Sequence, residues 1–182
     1  CNWVVKHVGY NSNANNTLRL DTTDDIYVDA YNWGGNQVTN SVVPLGNYSN
    51  SDTNKPGETN IMYCWHSVAG YSAFGSYEGS TALPFVYTGF KPSFLLLKNA
   101  DDSAASWVIH DSARDLYNEV ENVLVANASS AETTYSSTGV DFLSNGFKMR
   151  GGSSWYGNNL STTQTVIYAA FAEMPFKYAN AR

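Results

Sequence analysis

The chain carries one strand pattern twice, about a hundred residues apart, and any fold must find a place for both copies. Trp3-Val4-Val5-Lys6-His7 reads like Trp107-Val108-Ile109-His110-Asp111, and Asn60-Ile61-Met62-Tyr63-Cys64-Trp65 reads like Val166-Ile167-Tyr168-Ala169-Ala170-Phe171. In each copy the tryptophan strand is followed by a short apolar stretch, Leu18-Arg19-Leu20 or Val123-Leu124-Val125, and then by a polar run of Asp, Asn, Thr and Ser. A period of this length is too long for a solenoid and right for one small domain per copy. Ahead of the second copy lies Gly89-Phe90-Lys91-Pro92-Ser93-Phe94-Leu95-Leu96-Leu97-Lys98, whose partner in the first copy would have to precede Cys1. The chain therefore reads as the C-terminal piece of a longer repeat protein, with a partial repeat over 1–70 and a complete one over 71–182.

Strand signals dominate. Runs rich in Val, Ile, Tyr, Phe and Thr alternate with Gly, Asn, Asp and Pro, which places strands near 3–8, 17–20, 26–30, 41–45, 60–69, 83–87, 93–98, 107–110, 122–126, 140–142, 146–149 and 163–173. Turn residues that tolerate positive φ stand between them, at Asn32-Trp33-Gly34-Gly35, Asn145-Gly146 and Gly151-Gly152. The best helical candidate, 112–121, sustains no apolar stripe, so a turn or two is the most it predicts. The pattern predicts an all-β protein of tandem, jelly-roll-like β-sandwich domains with little helix. Within it, Phe94-Leu95-Leu96-Leu97 is apolar at consecutive positions, which predicts a strand buried on both faces. Trp3, Trp65, Trp107 and Phe171 sit in such segments and are expected to be buried.

Composition closes off several classes of function. The chain has 182 residues, 43% of them hydrophobic and 14% aromatic, enough for one or two ordinary cores. Only 14% are charged and the net charge is −6, with no run of basic residues, which argues against a nucleic-acid partner. No apolar stretch approaches the roughly 20 residues of a membrane-spanning helix, so no membrane insertion is expected. Of the two cysteines, Cys64 lies in an apolar strand pattern and reads as a small buried hydrophobe, and whether it pairs with Cys1 stays open.

No constellation of reactive residues stands out. His7, His66 and His110 each adjoin an apolar strand and lack metal-site spacing, so no metal and no cofactor are expected. No Gly-x-Ser-x-Gly elbow accompanies His110 and Asp111. Glu119 with Glu121, or Asp24 with Asp25, offer paired acids for glycoside cleavage by adjacency alone. Asp21, Asp24 and Asp25 carry oxygen ligands for Ca²⁺, without the EF-hand spacing or its glycine. Asp111 and Arg114 are placed to lock a turn as an ion pair. The stronger hint of binding is four aromatics in Gly/Ser/Asn-rich loops: Trp33, Tyr48, Trp155 and Tyr156. Such rings stack on sugars while Asn and Ser bond the hydroxyls, and they serve equally in packing or subunit contact.

From about residue 61 onward the chain resembles a domain of uncharacterised function found in structural proteins of bacteriophages, especially marine ones. The resemblance rests on Met62-Tyr63-Cys64-Trp65-His66, on Phe85-Val86-Tyr87-Thr88 running into Gly89 to Asn99, on His110-Asp111-Ser112-Ala113-Arg114, on Asp141 to Lys148 and on Ala170-Phe171-Ala172-Glu173. It implies a virion component, commonly a tail-fibre or appendage protein, and brings no catalytic residues with it. It further implies assembly with copies of itself, a trimer being favoured, and with other virion proteins, and contact with the host surface, where glycans are the candidate ligand. The expected function is thus that of a non-enzymatic virion structural protein. A capsid-decorating or spike protein is the first alternative and a polysaccharide-degrading enzyme the second.

Overall fold

The consecutive apolar residues of Phe94 to Leu97 need cover on two sides, and the fold supplies it with a sheet on each. The computed structural model describes residues 2–10, 12–136, 139–151 and 164–173. Its centre is a six-stranded antiparallel sheet built from β4 (Ser72–Glu78), β6 (Pro92–Asn99), β7 (Val108–Asp111), β8 (Asn122–Val125), β9 (Thr133–Thr134) and β12 (Thr165–Ala172), in the order β4-β12-β6-β7-β8-β9. In front lies a three-stranded sheet of β10 (Val140–Leu143), β11 (Gly146–Met149) and β5 (Phe85–Tyr87). Behind lies a second three-stranded sheet of β1 (Val4–Val5), β2 (Asn16–Arg19) and β3 (Tyr27–Val28). All-β with little helix is what the sequence predicts and what the chain forms: 34% of it is strand and 4% helix.

Strand alternation divides the two cores. Leu95, Leu97, Val166, Tyr168 and Ala170 point forward onto Val86, Val140, Phe142, Phe147 and Met149. Leu96 and Ile167, one residue out of step with these, point backward with Ala100 and Trp107 onto Val5, Leu18, Leu20 and Ile26. Residues 1–70 contribute one small sheet, and its apolar side chains share a core with the central sheet. Polar ties ring that back core: Ile26 N–H to the Ala100 carbonyl at 2.7 Å, Trp107 Nε1 to the Arg19 carbonyl at 2.7 Å, and the Tyr10 hydroxyl to Asp101 at 2.8 Å.

A buried cation completes the docking. Lys98 is fully buried at the end of β6, and its Nζ donates to the carbonyls of Thr23, Asp102 and Ala105 at 2.9, 3.1 and 2.7 Å. Burial pushes this ammonium down to about 8, against the pull of Asp102, Asp25 and Asp24. Lys6 repeats the device on the back sheet, donating to the carbonyls of Asn13, Ala14 and Asn16. Residues 8–10, a single 3-10 turn, pack against β4, the outer strand of the central sheet. Gly9 is required there, because a Cβ would lie 2.5 Å from the Gly75 carbonyl oxygen.

Both tryptophan segments of the sequence repeat form antiparallel pairs, Val4 opposite Arg19 and Val5 opposite Leu18 in one, Val108 opposite Val125 and Ile109 opposite Leu124 in the other. The partner in the second copy thus lies one residue further along than the aligned Leu18-Arg19-Leu20 and Val123-Leu124-Val125 would place it. Their tryptophans fare differently. Trp107 is 3% exposed in the back core, whereas Trp3 is 55% exposed and Trp65 64% exposed, so the expected burial of these two is corrected. Phe171 is half-buried among Tyr71, Phe74 and Phe94. No strand forms at 41–45 or 60–69. The first contains Pro44, which has no N–H to give a ladder, and the second, among the described residues, has only the isolated bridge of Val68 to Ser72. Cys64, in that second segment, is an exposed free thiol, contrary to the expected burial. Strands β4 and β9 arise where none is predicted, as does α1 (Ala30–Trp33), which is capped by Asp29 at its start and by Gly34 with φ 62° at its end.

Two histidines are built into these layers uncharged. His7 accepts at Nδ1 from the Gly9 N–H and donates from Nε2 to the Tyr168 carbonyl, both at 3.0 Å, an arrangement that fits only the neutral ring. Burial pushes it down to about 4, against the bond to Tyr168. His110 is fully buried and neither ring nitrogen has a hydrogen-bond partner of good geometry, the neighbouring Val120 carbonyl included. Burial, reinforced by the Arg114 charge, pushes it to about 4 as well.

These features set two expectations. Trp107→Ala should cost about 3–5 kcal/mol in urea denaturation, since it opens a cavity and frees the Arg19 carbonyl. Between pH 6.5 and 4 the unfolded chain binds protons at His7 and His110 that the folded chain refuses, so stability should fall as pH falls through that window and be fully present above it. His110 accounts for up to about 3 kcal/mol of that loss. Urea midpoints measured across the window should flatten in His110→Leu.

Candidate functional site

Where β7 ends, the chain makes a loop over 112–121 that is fastened at every turn. Asp111 Oδ1 accepts the N–H groups of Ala113 and Arg114 at 3.0 and 2.9 Å, while its Oδ2 takes Arg114 Nε at 2.6 Å. Burial alone would push the Asp111 carboxyl up, yet these side-chain and backbone bonds hold it below the ordinary carboxylate range. The same guanidinium reaches the Ile109 carbonyl at 3.0 Å and Glu132 at 3.2 Å. The turn-locking ion pair expected from the sequence is present.

Two further side chains close the loop. Asp115 Oδ2 accepts the N–H groups of Glu121 and Asn122 at 2.8 and 2.7 Å, and Oδ1 takes the Asn122 amide at 2.6 Å. Asn118 pairs with the backbone of Phe142 as a strand neighbour would, accepting its N–H at 2.9 Å and donating to its carbonyl at 3.2 Å. Val120 then exchanges both backbone bonds with Val140. The result holds Leu116 and Tyr117 outward, 77% and 84% exposed. Arg114, Asp115, Asn118, Glu119 and Glu121 line an open hollow of about 550 Å³ beside them. A second hollow of about 230 Å³, bounded by Lys91, Ser112 and Phe142, adjoins it.

The aromatics singled out in the sequence are dispersed. Trp33 is buried at the end of α1, its Nε1 donating to Thr17 at 2.9 Å and the Lys6 ammonium lying 5.9 Å from its ring, so it packs the fold and presents no open face. Tyr48 is half-exposed, edge-on to Tyr31 at 5.0 Å. Trp155 and Tyr156 lie outside the described residues. Asp21 and Asp24 are engaged locally, by the Trp3 N–H at 2.9 Å and by Arg19 at 3.4 Å. Among the described residues, no group of three or more His, Cys, Asp or Glu is arranged to hold a metal ion, and no helix is long and apolar enough to cross a membrane.

Residues 1–175 match a family described as a domain of unknown function, DUF7483. The chain belongs to that family. No curated protein and no solved structure matches it. The family thus spans the back sheet, the central sheet and the front sheet together, with the fastened loop inside it.

Leu116 and Tyr117 escape a reading of the sequence because nothing in Asp115-Leu116-Tyr117-Asn118 marks the pair as solvent-facing. The signal is in the flanking Asp and Asn, which bond backbone in preference to forming a helix. Asp115→Ala should cost about 1–3 kcal/mol by stranding two amide donors, and should speed hydrogen exchange at Glu121 and Asn122 before that of the central strands.

Proposed function

We propose that the chain is a non-enzymatic segment of a bacteriophage virion, part of a tail fibre or comparable appendage, whose 112–121 loop meets the host surface. In this reading 71–182 is the complete jelly-roll-like sandwich repeat and 1–70 the partial one, laid against it as the back layer. The observation that carries the proposal is the fastened loop: it holds two large apolar side chains in water without help from a core. Fixing a loop before binding removes the ordering cost from the binding step, and a rigid sheet scaffold with projecting loops is a common architecture for recognition. Tyr117 offers a ring face for a sugar, and Arg114, Asn118 and Glu121 offer partners for its hydroxyls. The resemblance to virion domains supplies the setting, and the sparse surface charge suits it.

One observation favours a second reading, a polysaccharide-degrading enzyme. Glu119 and Glu121 flank the same glycine, since a Cβ at Gly139 would lie 3.4 Å from Glu119 Oε2 and 3.5 Å from Glu121 Cγ. Glu119 is, however, committed to Arg150 at 2.8 Å, which leaves it poorly placed to hand a proton to a leaving group. Release of reducing ends from host polysaccharide, lost in Glu121→Gln, would decide for the enzyme.

Replacing Leu116 and Tyr117 together by Ser should leave the thermal midpoint unchanged and lower adsorption to host cells about tenfold, a loss of about 1.4 kcal/mol. Antibody against the chain should label intact particles. Unchanged adsorption, or particles without label, overturns the proposal.

A further inference from the structure

One surface remains that the loop does not use. Every residue from 54 to 67 is exposed, and among the described residues no backbone group of 59–65 bonds to another backbone group. Yet Asn60-Ile61-Met62-Tyr63-Cys64-Trp65-His66 is written as a strand with apolar residues on both faces. Its counterpart in the second copy, β12, is bonded on both sides, by β4 and by β6. In the first copy the side chains have instead collected into a row in water. Trp3 stacks on Tyr63 with ring centres 6.2 Å apart, and Tyr63 on Trp65 at 6.0 Å, the planes within 25° and 20° of parallel. Ile61 and Met62 beside them are 74% and 57% exposed.

We infer that this row is where copies of the chain meet, Trp3, Ile61, Tyr63 and Trp65 of one copy covering the same residues of another. The inference takes its setting from the appendage reading above and specifies how the copies of such an appendage would touch. Three observations select a second copy as the occupant. Between Glu58 and Glu78 the chain holds no Asp, Glu, Lys or Arg, so copies that each carry a net charge of −6 bring no like charges together along 59–66, and the Asp21 carboxylate beside Trp3 is occupied by the Trp3 N–H. A foreign partner attracted by that acidity would be basic and would find no carboxylate in this stretch to recognise. The five apolar side chains expose on the order of 500 Å², in the upper part of the range of the largest patch on a typical monomer, a size that often marks a contact surface. With the flanking polar residues this approaches the roughly 800 Å² per partner of a stable interface. Finally, the row is complementary to itself: β-branched Ile61 stands at one end, aromatic Trp65 at the other and Tyr63 between, so reversing one copy sets Ile61 against Trp65, a favourable cross-strand combination. The free thiol of Cys64 lies within the row and reports on the contact.

Sedimentation velocity of the purified chain at micromolar concentration should give a species heavier than the 20.0 kDa monomer. Tyr63→Asp with Trp65→Asp should reduce it to monomer while leaving the circular-dichroism spectrum unchanged, because both side chains lie in water in the single chain. In a Cys1→Ser background, a short bismaleimide should join Cys64 to Cys64 before the two Asp substitutions and fail to do so after them. A monomer throughout, or an oligomer whose mass the two substitutions leave unaltered, overturns the inference. So does a monomer that retains host polysaccharide only when Tyr63 and Trp65 are intact, which would assign the row to a glycan. Particle labelling and the adsorption of the Leu116 and Tyr117 variant are read separately, so a failure here leaves the proposed function standing and the converse holds too.

Discussion

Two strands that are apolar on both faces organise this molecule. β6 and β12 lie side by side in the central sheet with Leu95, Leu97, Val166 and Tyr168 on one face and Leu96 and Ile167 on the other. Neither face can be left to water, so a sheet must come down on each. The front sheet brings Phe142, Phe147 and Met149, and the back sheet brings Leu18 with the flanking Val5 and Ile26. The layering follows from the pleat: one residue of offset along a strand decides which core a side chain enters.

The back sheet has only short strands, and it is polar chemistry that registers it. Three backbone carbonyls surround the Lys98 ammonium, one of them from Thr23 in the back layer and two from the 99–106 connection. A buried cation is tolerable when its donors are all matched, and here the match fixes the connection and the back layer to the same atom. Lys6 gathers its own loop in the same manner, with three carbonyls of 13–16. Removing either cation would leave carbonyls facing one another across a gap.

Much of this was legible in the residues. Phe94 to Leu97 announced a doubly buried strand, and the two tryptophan segments announced strands. Asp111 with Arg114 announced a locked turn. What could not be read off has physical reasons. β4, Ser72-Ala73-Phe74-Gly75-Ser76-Tyr77-Glu78, has too little apolar bulk to look like a strand. Its Gly75 is small because the Tyr168 ring needs the room, a Cβ there falling 2.8 Å from the Tyr168 hydroxyl. Residues 60–66 mislead in the other direction, since their pattern specifies burial without naming the surface that provides it. The loop over 112–121 is invisible because Asn118 finds Phe142 across 24 positions, a meeting that only the finished front sheet arranges. Trp33 looked like an open loop aromatic because its neighbours Asn32, Gly34 and Gly35 are turn residues, yet Asn32 lies within a short helix that Gly34 caps, and the ring is buried.

The position of β12 has a mechanical consequence. It is flanked on both sides by antiparallel partners, from Thr165 opposite Glu78 to Phe171 opposite Ser72 on one side and from Val166 opposite Asn99 onward on the other. Its ladder bonds lie across the strand direction. A pull along β12 therefore strains both ladders at once, in shear, and no single bond can yield first. β1, which among the described residues pairs with β2 alone and over two residues, has far fewer bonds to share such a load. In an object that must withstand tension, force entering through β12 would meet the stiffest path the sheet contains, while the back layer would act as the part that gives.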